Sequence, residues 1–149
     1  MKESIVTNST CLISLERIRQ LELLPALFDP IIIPPKVQEE FGHSAAWLMV
    51  HTPQNTALVM ALSQLVDTGE AEAMALALER KTTLVLDDRK ARHVAKRLGI
   101  PIIGTIGVLI RAKRQGVLSS IRPQLEALKN AGFHLTPELE REALRLVNE

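Results

Sequence analysis

The stretch Thr83-Leu-Val-Leu-Asp87-Asp88 decides the fold: a short β-rich apolar run that ends in two adjacent carboxylates. Thr82, Thr83 and Val85 favour the pleat, and polar residues bound the run. A basic segment follows (Arg89, Lys90, Arg92, Lys96, Arg97) and reads as a helix running to Leu98, where Gly99 ends it. In an open parallel sheet, ligands sit at the carboxyl ends of the strands, where Asp87 and Asp88 fall. Either aspartate alone has an ordinary explanation, because Asp caps helices and its charge suits a helix N-terminus. Two together at a buried strand end repel unless a cation or a proton intervenes.

Working outward, the same strand-then-helix alternation recurs. Ser4-Ile-Val-Thr7 and Ile31-Ile-Ile33 read as buried strands, the first followed by the turn Asn8-Ser9-Thr10, with Ser9 or Thr10 as a helix cap. From Cys11 to Phe28, Leu12, Leu15, Ile18, Leu21, Leu24 and Leu27 mark a helical face, broken near Arg19 or before Pro25. Pro34-Pro35 closes the second strand and starts a helix carrying Val37, Glu40 and Phe41, which Gly42 ends. Trp47 to His51 reads as an edge strand and Thr56 to Leu65 as a helix. Asp67 or Thr68 then caps an alanine-rich helix through Glu79. On that helix Glu70 shares a face with Ala73, Met74 and Ala77, whereas Glu72 lies on the solvent side. Ile100 to Ile103 is a further strand, Gly104-Thr105 begins a helix closed by Gly116, and Ser120 caps the next. Phe133-His-Leu135 reads as a last short strand before a terminal amphipathic helix from Pro137. The expected architecture is α/β: a three-layer α/β/α sandwich around a mainly parallel sheet, in a single domain over residues 1–149.

Composition narrows the chemistry. A 46% hydrophobic fraction over 149 residues supports an ordinary globular core. With a net charge of +1, any contact with nucleic acid must come from a local patch. One cysteine, Cys11, excludes an internal disulfide framework and a cysteine-based zinc site. No apolar run reaches the roughly 18 residues of a membrane span, and the N-terminus lacks a signal-peptide pattern. The expectation is a soluble, cytoplasmic protein without membrane contact.

Polar groups gather just beyond strands or at the heads of helices: Asn8, Glu40, Glu70, Asp87 and Asp88. With the first strand central, its end and that of the Asp87 strand become neighbours at the switch point of the sheet, and Glu40 and Glu70 reach the same crevice from flanking helices. Oxygen-rich clusters of this kind suit Mg2+ or Mn2+ and offer little to zinc. Such ions activate water and stabilise the transition state of phosphodiester hydrolysis.

Five segments in order complete the picture: Ile5-Val-Thr-Asn-Ser-Thr-Cys-Leu-Ile13, Ile33-Pro-Pro-Lys-Val-Gln-Glu-Glu40, Gly69-Glu-Ala-Glu-Ala73, Leu84-Val-Leu-Asp-Asp88 and Pro101-Ile-Ile-Gly-Thr-Ile-Gly107. Together they resemble the PIN-domain ribonucleases, particularly the VapC-type toxins and related PIN proteins. The resemblance implies a metal-dependent endoribonuclease using Mg2+ or Mn2+. It implies metal ligands at Asn8, Glu40, Glu70, Asp87 and Asp88, with the four acids and the Thr105 hydroxyl as the catalytic set. It further implies RNA as substrate, a homodimer, and a small antitoxin protein that blocks the crevice. One departure stands out: the family's first acid is an aspartate, and position 8 here is Asn. An amide oxygen still ligates Mg2+ but brings no full charge, so metal affinity falls and hydrolysis is attenuated or lost.

Arg89, Lys90 and Arg92 are the expected phosphate contacts, with Arg111, Lys113 and Arg114 on the next helix in support. With 3% aromatic residues and no tyrosine, base stacking is poorly supplied. His43, His51, His93 and His134 are scattered without metal-ligand spacing, and Cys11 reads as a buried small hydrophobe. The alternative to a nuclease is a non-catalytic nucleic-acid- or protein-binding module on the same crevice. A phosphate-accepting receiver domain is disfavoured, because Gly104-Thr105 stands where its lysine belongs.

Overall fold

The computed structural model describes residues 1–149. Its elements run β1 (Glu3–Thr7), α1 (Ser9–Arg17), α2 (Leu23–Leu27), β2 (Phe28–Ile33), α3 (Pro35–Phe41), β3 (Leu48–Val50) and α4 (Thr56–Leu62). They continue with α5 (Thr68–Arg80), β4 (Thr83–Val85), α6 (Arg89–Arg97), β5 (Ile102–Ile103), α7 (Thr105–Arg114), α8 (Arg122–Asn130) and α9 (Pro137–Leu146). All five strands are parallel, in the order β3-β2-β1-β4-β5. β1 is thus central, and the chain winds outward from it in both directions.

Alternation along the strands divides the core in two, because successive side chains point to opposite faces of a sheet. Ile5, Ile31, Ile33 and Val85 face one layer with α1, α2, α3, α7, α8 and α9. Val6, Ile32 and Leu84 face the other, with Leu62, the α5 alanines, and Ala91 and Ala95 of α6. The result is the expected α/β/α sandwich. No helix is long and apolar enough to cross a membrane.

Several local expectations need correction. The cap of α1 is Asn8, whose Oδ1 accepts from the Cys11 N–H at 3.0 Å, and not Ser9 or Thr10. Of the two expected breaks after α1, the one near Arg19 is found, with that residue in a left-handed conformation (φ 59°), whereas Pro25 lies inside α2. Helix α5 does not bury one face only: Gly69, Ala71 and Ala73 to Ala77 are all buried, since the sheet, α3 and α4 surround it. Glu72 is therefore not in free solvent. Its carboxylate accepts the Lys36 N–H at 3.1 Å, satisfying a donor at the head of α3. Phe133 to Leu135 forms no strand; Phe133 and Leu135 rest half-buried on the first core.

Ser120 does not cap α8 either. The first turn of that helix is satisfied across 28 and 27 residues, as Glu149 accepts the N–H groups of Ile121 (2.7 Å) and Arg122 (3.2 Å). Its carboxylate also accepts from the Ser120 hydroxyl and the Lys113 ammonium. Burial alone raises the Glu149 pKa, but these bonds outweigh it and bring the group to about 2. A depressed carboxyl pKa stabilises the fold above its ordinary value of 4.5, and the contribution disappears as pH falls through the folded value. In urea titrations the stability gap between wild type and Glu149→Gln is thus full above pH 4.5 and closes toward about pH 2. A gap independent of pH would mean that the carboxylate charge contributes nothing.

Candidate functional site

The strand order reverses between β1 and β4, and there the carboxyl ends of three strands meet. Thr7 pairs with Val85, the Asn8 N–H donates to the Val85 carbonyl at 3.0 Å, and the Leu86 N–H donates to Ile103 at 2.9 Å. This brings Asn8, Asp87 and Thr105 together from segments far apart in the chain. Asp87 bonds to both: one carboxylate oxygen accepts the Thr105 N–H at 2.8 Å, the other the Thr105 hydroxyl at 2.7 Å. The Asn8 side chain turns its oxygen to the head of α1 and lies near enough to Asp87 to favour that carboxylate's charged form. Burial raises the Asp87 pKa; the Thr105 bonds, the Arg92 guanidinium and Asn8 oppose the shift without cancelling it.

Beside this group lies a cleft of about 30 Å3 lined by Asn8, Val37, Glu40, Asp67, Gly69 and Glu70, among others. Its volume holds a water or two, or one small cation. Glu40 comes from the last turn of α3 and Glu70 from the first turn of α5. Their approach depends on Gly69, where a Cβ would lie 2.7 Å from Glu40 Oε1. Any side chain at 69 would displace that carboxylate. Glu70 also belongs to a capping box: Asp67 accepts the Glu70 N–H at 2.8 Å, and Glu70 accepts the Asp67 N–H at 3.3 Å. Burial first, then the neighbouring Asp67, Asp88 and Glu40 charges, push the Glu70 carboxyl up to about 7. Three acids thus line one opening, and the charge of Asp88 reaches it from outside. Such crowding is relieved by a proton or a cation.

Of the residues singled out from sequence, Asn8, Glu40 and Glu70 line the cleft, while Asp87, Asp88 and Thr105 do not. Asp88 caps α6 through the Ala91 N–H at 2.9 Å and acts on Glu70 by charge alone. Asp67 was missed as a lining residue, although its spacing to Glu70 is that of a capping box. No three His, Cys, Asp or Glu side chains converge closely enough to grip an ion as they stand. The donor chemistry around the cleft is nonetheless oxygen throughout, as a hard divalent cation requires, and it fits such an ion through Glu40 and Glu70 with Asn8 beside them. Cys11 is fully buried, with its thiol pushed up to about 12 by burial and then by Asp87, and is no nucleophile.

The basic residues divide sharply. Arg89, Lys90, Lys96 and Arg97 on α6 are exposed and make no ion pair. Arg92 turns inward, and its Nη1 donates to the Leu86 carbonyl at 2.8 Å. The three cations of α7 are engaged within the fold: Arg111 with Glu3 and over the Phe28 ring, Lys113 with Glu149, Arg114 with the Leu146 carbonyl. Arg111 and Lys113 are thereby less available to a phosphate than the exposed cations of α6.

A parallel sheet with Asn8 beyond β1, Asp87 and Asp88 beyond β4, and Glu40 and Glu70 from the flanking helices defines a class of α/β/α domain with an acidic crevice at its switch point. A PIN-domain family model matches residues 4–149, and the chain belongs to the PIN-domain family. Domains of this family are commonly nuclease modules and generally use divalent metal ions. No curated protein matches the chain.

Proposed function

We propose that this PIN domain is a metal-dependent endoribonuclease of the VapC type, slowed by the neutral side chain at position 8. The observation that carries the reading is the meeting of Glu40, Asp67 and Glu70 in one small cleft at the switch point of the sheet, with Gly69 bringing the Glu40 carboxylate to the head of α5. Mg2+ or Mn2+ would be held by Glu40 and Glu70, with Asn8 and Asp88 at its margin. When bound, the ion supplies an activated water and a clamp on the phosphate oxygens. The chain's own part is to present these oxygens at the strand ends and the α6 cations to the RNA backbone beside them. The same reading implies a cytoplasmic setting, a homodimer and a small protein inhibitor seated over the crevice.

The test is cleavage of an end-labelled RNA by the purified protein with Mn2+ and with EDTA. Slow internal cleavage that requires Mn2+ supports the reading. A second reading, a binding module without hydrolysis, is favoured by one observation: the Asn8 oxygen is already committed to the Cys11 N–H, and the side chain adds no charge. RNA binding without Mn2+-dependent cleavage would select it.

Binding itself rests on α6. In a Glu70→Gln background, which keeps the RNA intact, Arg89→Glu with Lys90→Glu weakens RNA affinity for all sequences alike. The salt slope of log K falls by about 1 for each phosphate that is no longer neutralised. Anisotropy titrations over a salt series measure both. An unchanged slope would remove α6 from the interface.

A further inference from the structure

Arg92 is the one α6 cation that the RNA-facing surface does not use, and its position is specific. Its helix begins immediately after Asp88, yet the side chain reaches back to the strand ends and donates to the Leu86 carbonyl at 2.8 Å. The opening that admits it is Gly104, the N-cap of α7. A Cβ at that position would lie 2.9 Å from Arg92 Nη1 and 3.0 Å from Asp87 Oδ1, between the guanidinium and the carboxylate. The absence of a side chain at 104 therefore lets a positive charge approach Asp87 from one side. On the other side Thr105 donates twice, through its backbone N–H and its hydroxyl. A carboxylate has about four lone-pair sites, and one donor on each oxygen with a guanidinium nearby lowers the demand of Asp87 for a metal ion.

We propose that Arg92, admitted by Gly104, is the resident counter-cation of Asp87, and that Asp87 is a positioning residue outside the metal's donor set. In its electrostatic role Arg92 does for Asp87 what a divalent ion does for the exposed acids of the cleft. Asp87 then fixes Thr105 and Asn8 at the strand ends, and the metal is left to Glu40 and Glu70. That last clause rests on the proposed nuclease reading. The approach of the Arg92 guanidinium toward Asp87, which stops short of an ion-pair contact, does not.

Two measurements on the full chain separate these. The first is a thermal double-mutant cycle in EDTA, with Arg92→Gln measured in the wild-type and the Asp87→Asn backgrounds. Arg92→Gln loses its bond to Leu86 in both, but loses the charge pairing only in the first. The expected cost is several degrees larger in the wild-type background than in Asp87→Asn. Where Asp87→Asn fails to fold, Gly104→Ala serves as the second background, because its methyl group separates the same two charges. Equal costs in both backgrounds overturn the proposal and leave Arg92 a cap on a carbonyl.

The second measurement is Mn2+ affinity from the free-ion EPR signal. Removing Arg92 releases the charge of Asp87 toward the cleft, so folded Arg92→Gln binds Mn2+ about 5-fold tighter or more, a change of roughly 1 kcal/mol. Arg92→Lys stays close to wild type. A merely structural arginine would not tighten metal binding, and unchanged or weaker affinity in folded Arg92→Gln counts against the assignment. If neither wild type nor any variant binds Mn2+, the nuclease reading falls, and the cycle in EDTA alone decides the role of Arg92.

Discussion

Glu70→Gln is expected to abolish Mn2+-dependent RNA cleavage, with a loss of roughly 100-fold or more. Loss of groups that merely orient a metal ligand already costs about 10- to 100-fold, so loss of a ligand itself belongs above that range. The substitution keeps the shape and the amide oxygen, which can still accept the Asp67 N–H of the capping box. The fold therefore survives. Stability even rises slightly near neutral pH, because the Gln carries no charge among Asp67, Asp88 and Glu40. Cleavage falling while the thermal midpoint holds or rises is the signature of a functional acid. Cleavage at the wild-type rate, measured on the same labelled RNA, would remove Glu70 from the site.

The largest stability effect is expected at Phe28. This residue opens β2, is 1% exposed, and belongs to the core between the sheet and the α1–α7–α8 layer. Truncating a buried Phe to Ala removes its apolar transfer energy and leaves a cavity, together about 3–5 kcal/mol. That is a large share of a total stability of about 5–15 kcal/mol. Arg111 lies over the ring, with its guanidinium carbon 5.3 Å from the centroid, and pairs with Glu3 at 2.7 Å. Those contacts are partly exposed and worth roughly 0.5–1 kcal/mol, so burial of the ring dominates. Urea denaturation of Phe28→Ala and Arg111→Ala decides the order. A larger cost for Arg111→Ala would show that the surface pair, and not the core, holds this corner.

The strands and their order of connection were legible because Ile31-Ile-Ile33 and Leu84-Val85 are β-rich and both faces of the sheet are covered. Element boundaries were less so. Asn8, Ser9 and Thr10 are all good caps, and only the bond from the Asn8 N–H to Val85 fixes where β1 ends. The head of α8 was opaque for a different reason: its acceptor, Glu149, lies beyond two helices, and no local pattern marks it. At the site, Glu70 could be placed from helical phase, and Glu40 from its helix after the second strand together with the family resemblance. The inward turn of Arg92 and the commitment of Asp87 to Thr105 could not, since both depend on how the β4 and β5 ends meet. The mixed fate of the basic residues was equally hidden. Exposed α6 cations and internally paired α7 cations look alike in the chain.

Helix α5 presents its own alanines and Gly69 to the sheet, α3 and α4, and is buried along most of its length. An element so confined cannot swing aside, and the carboxylate at its head is delivered from an immovable mount. Mutual repulsion among the acids at the opening then has no mechanical outlet through the backbone. It persists as a standing demand for positive charge, which is what electrostatic preorganisation means at this crevice.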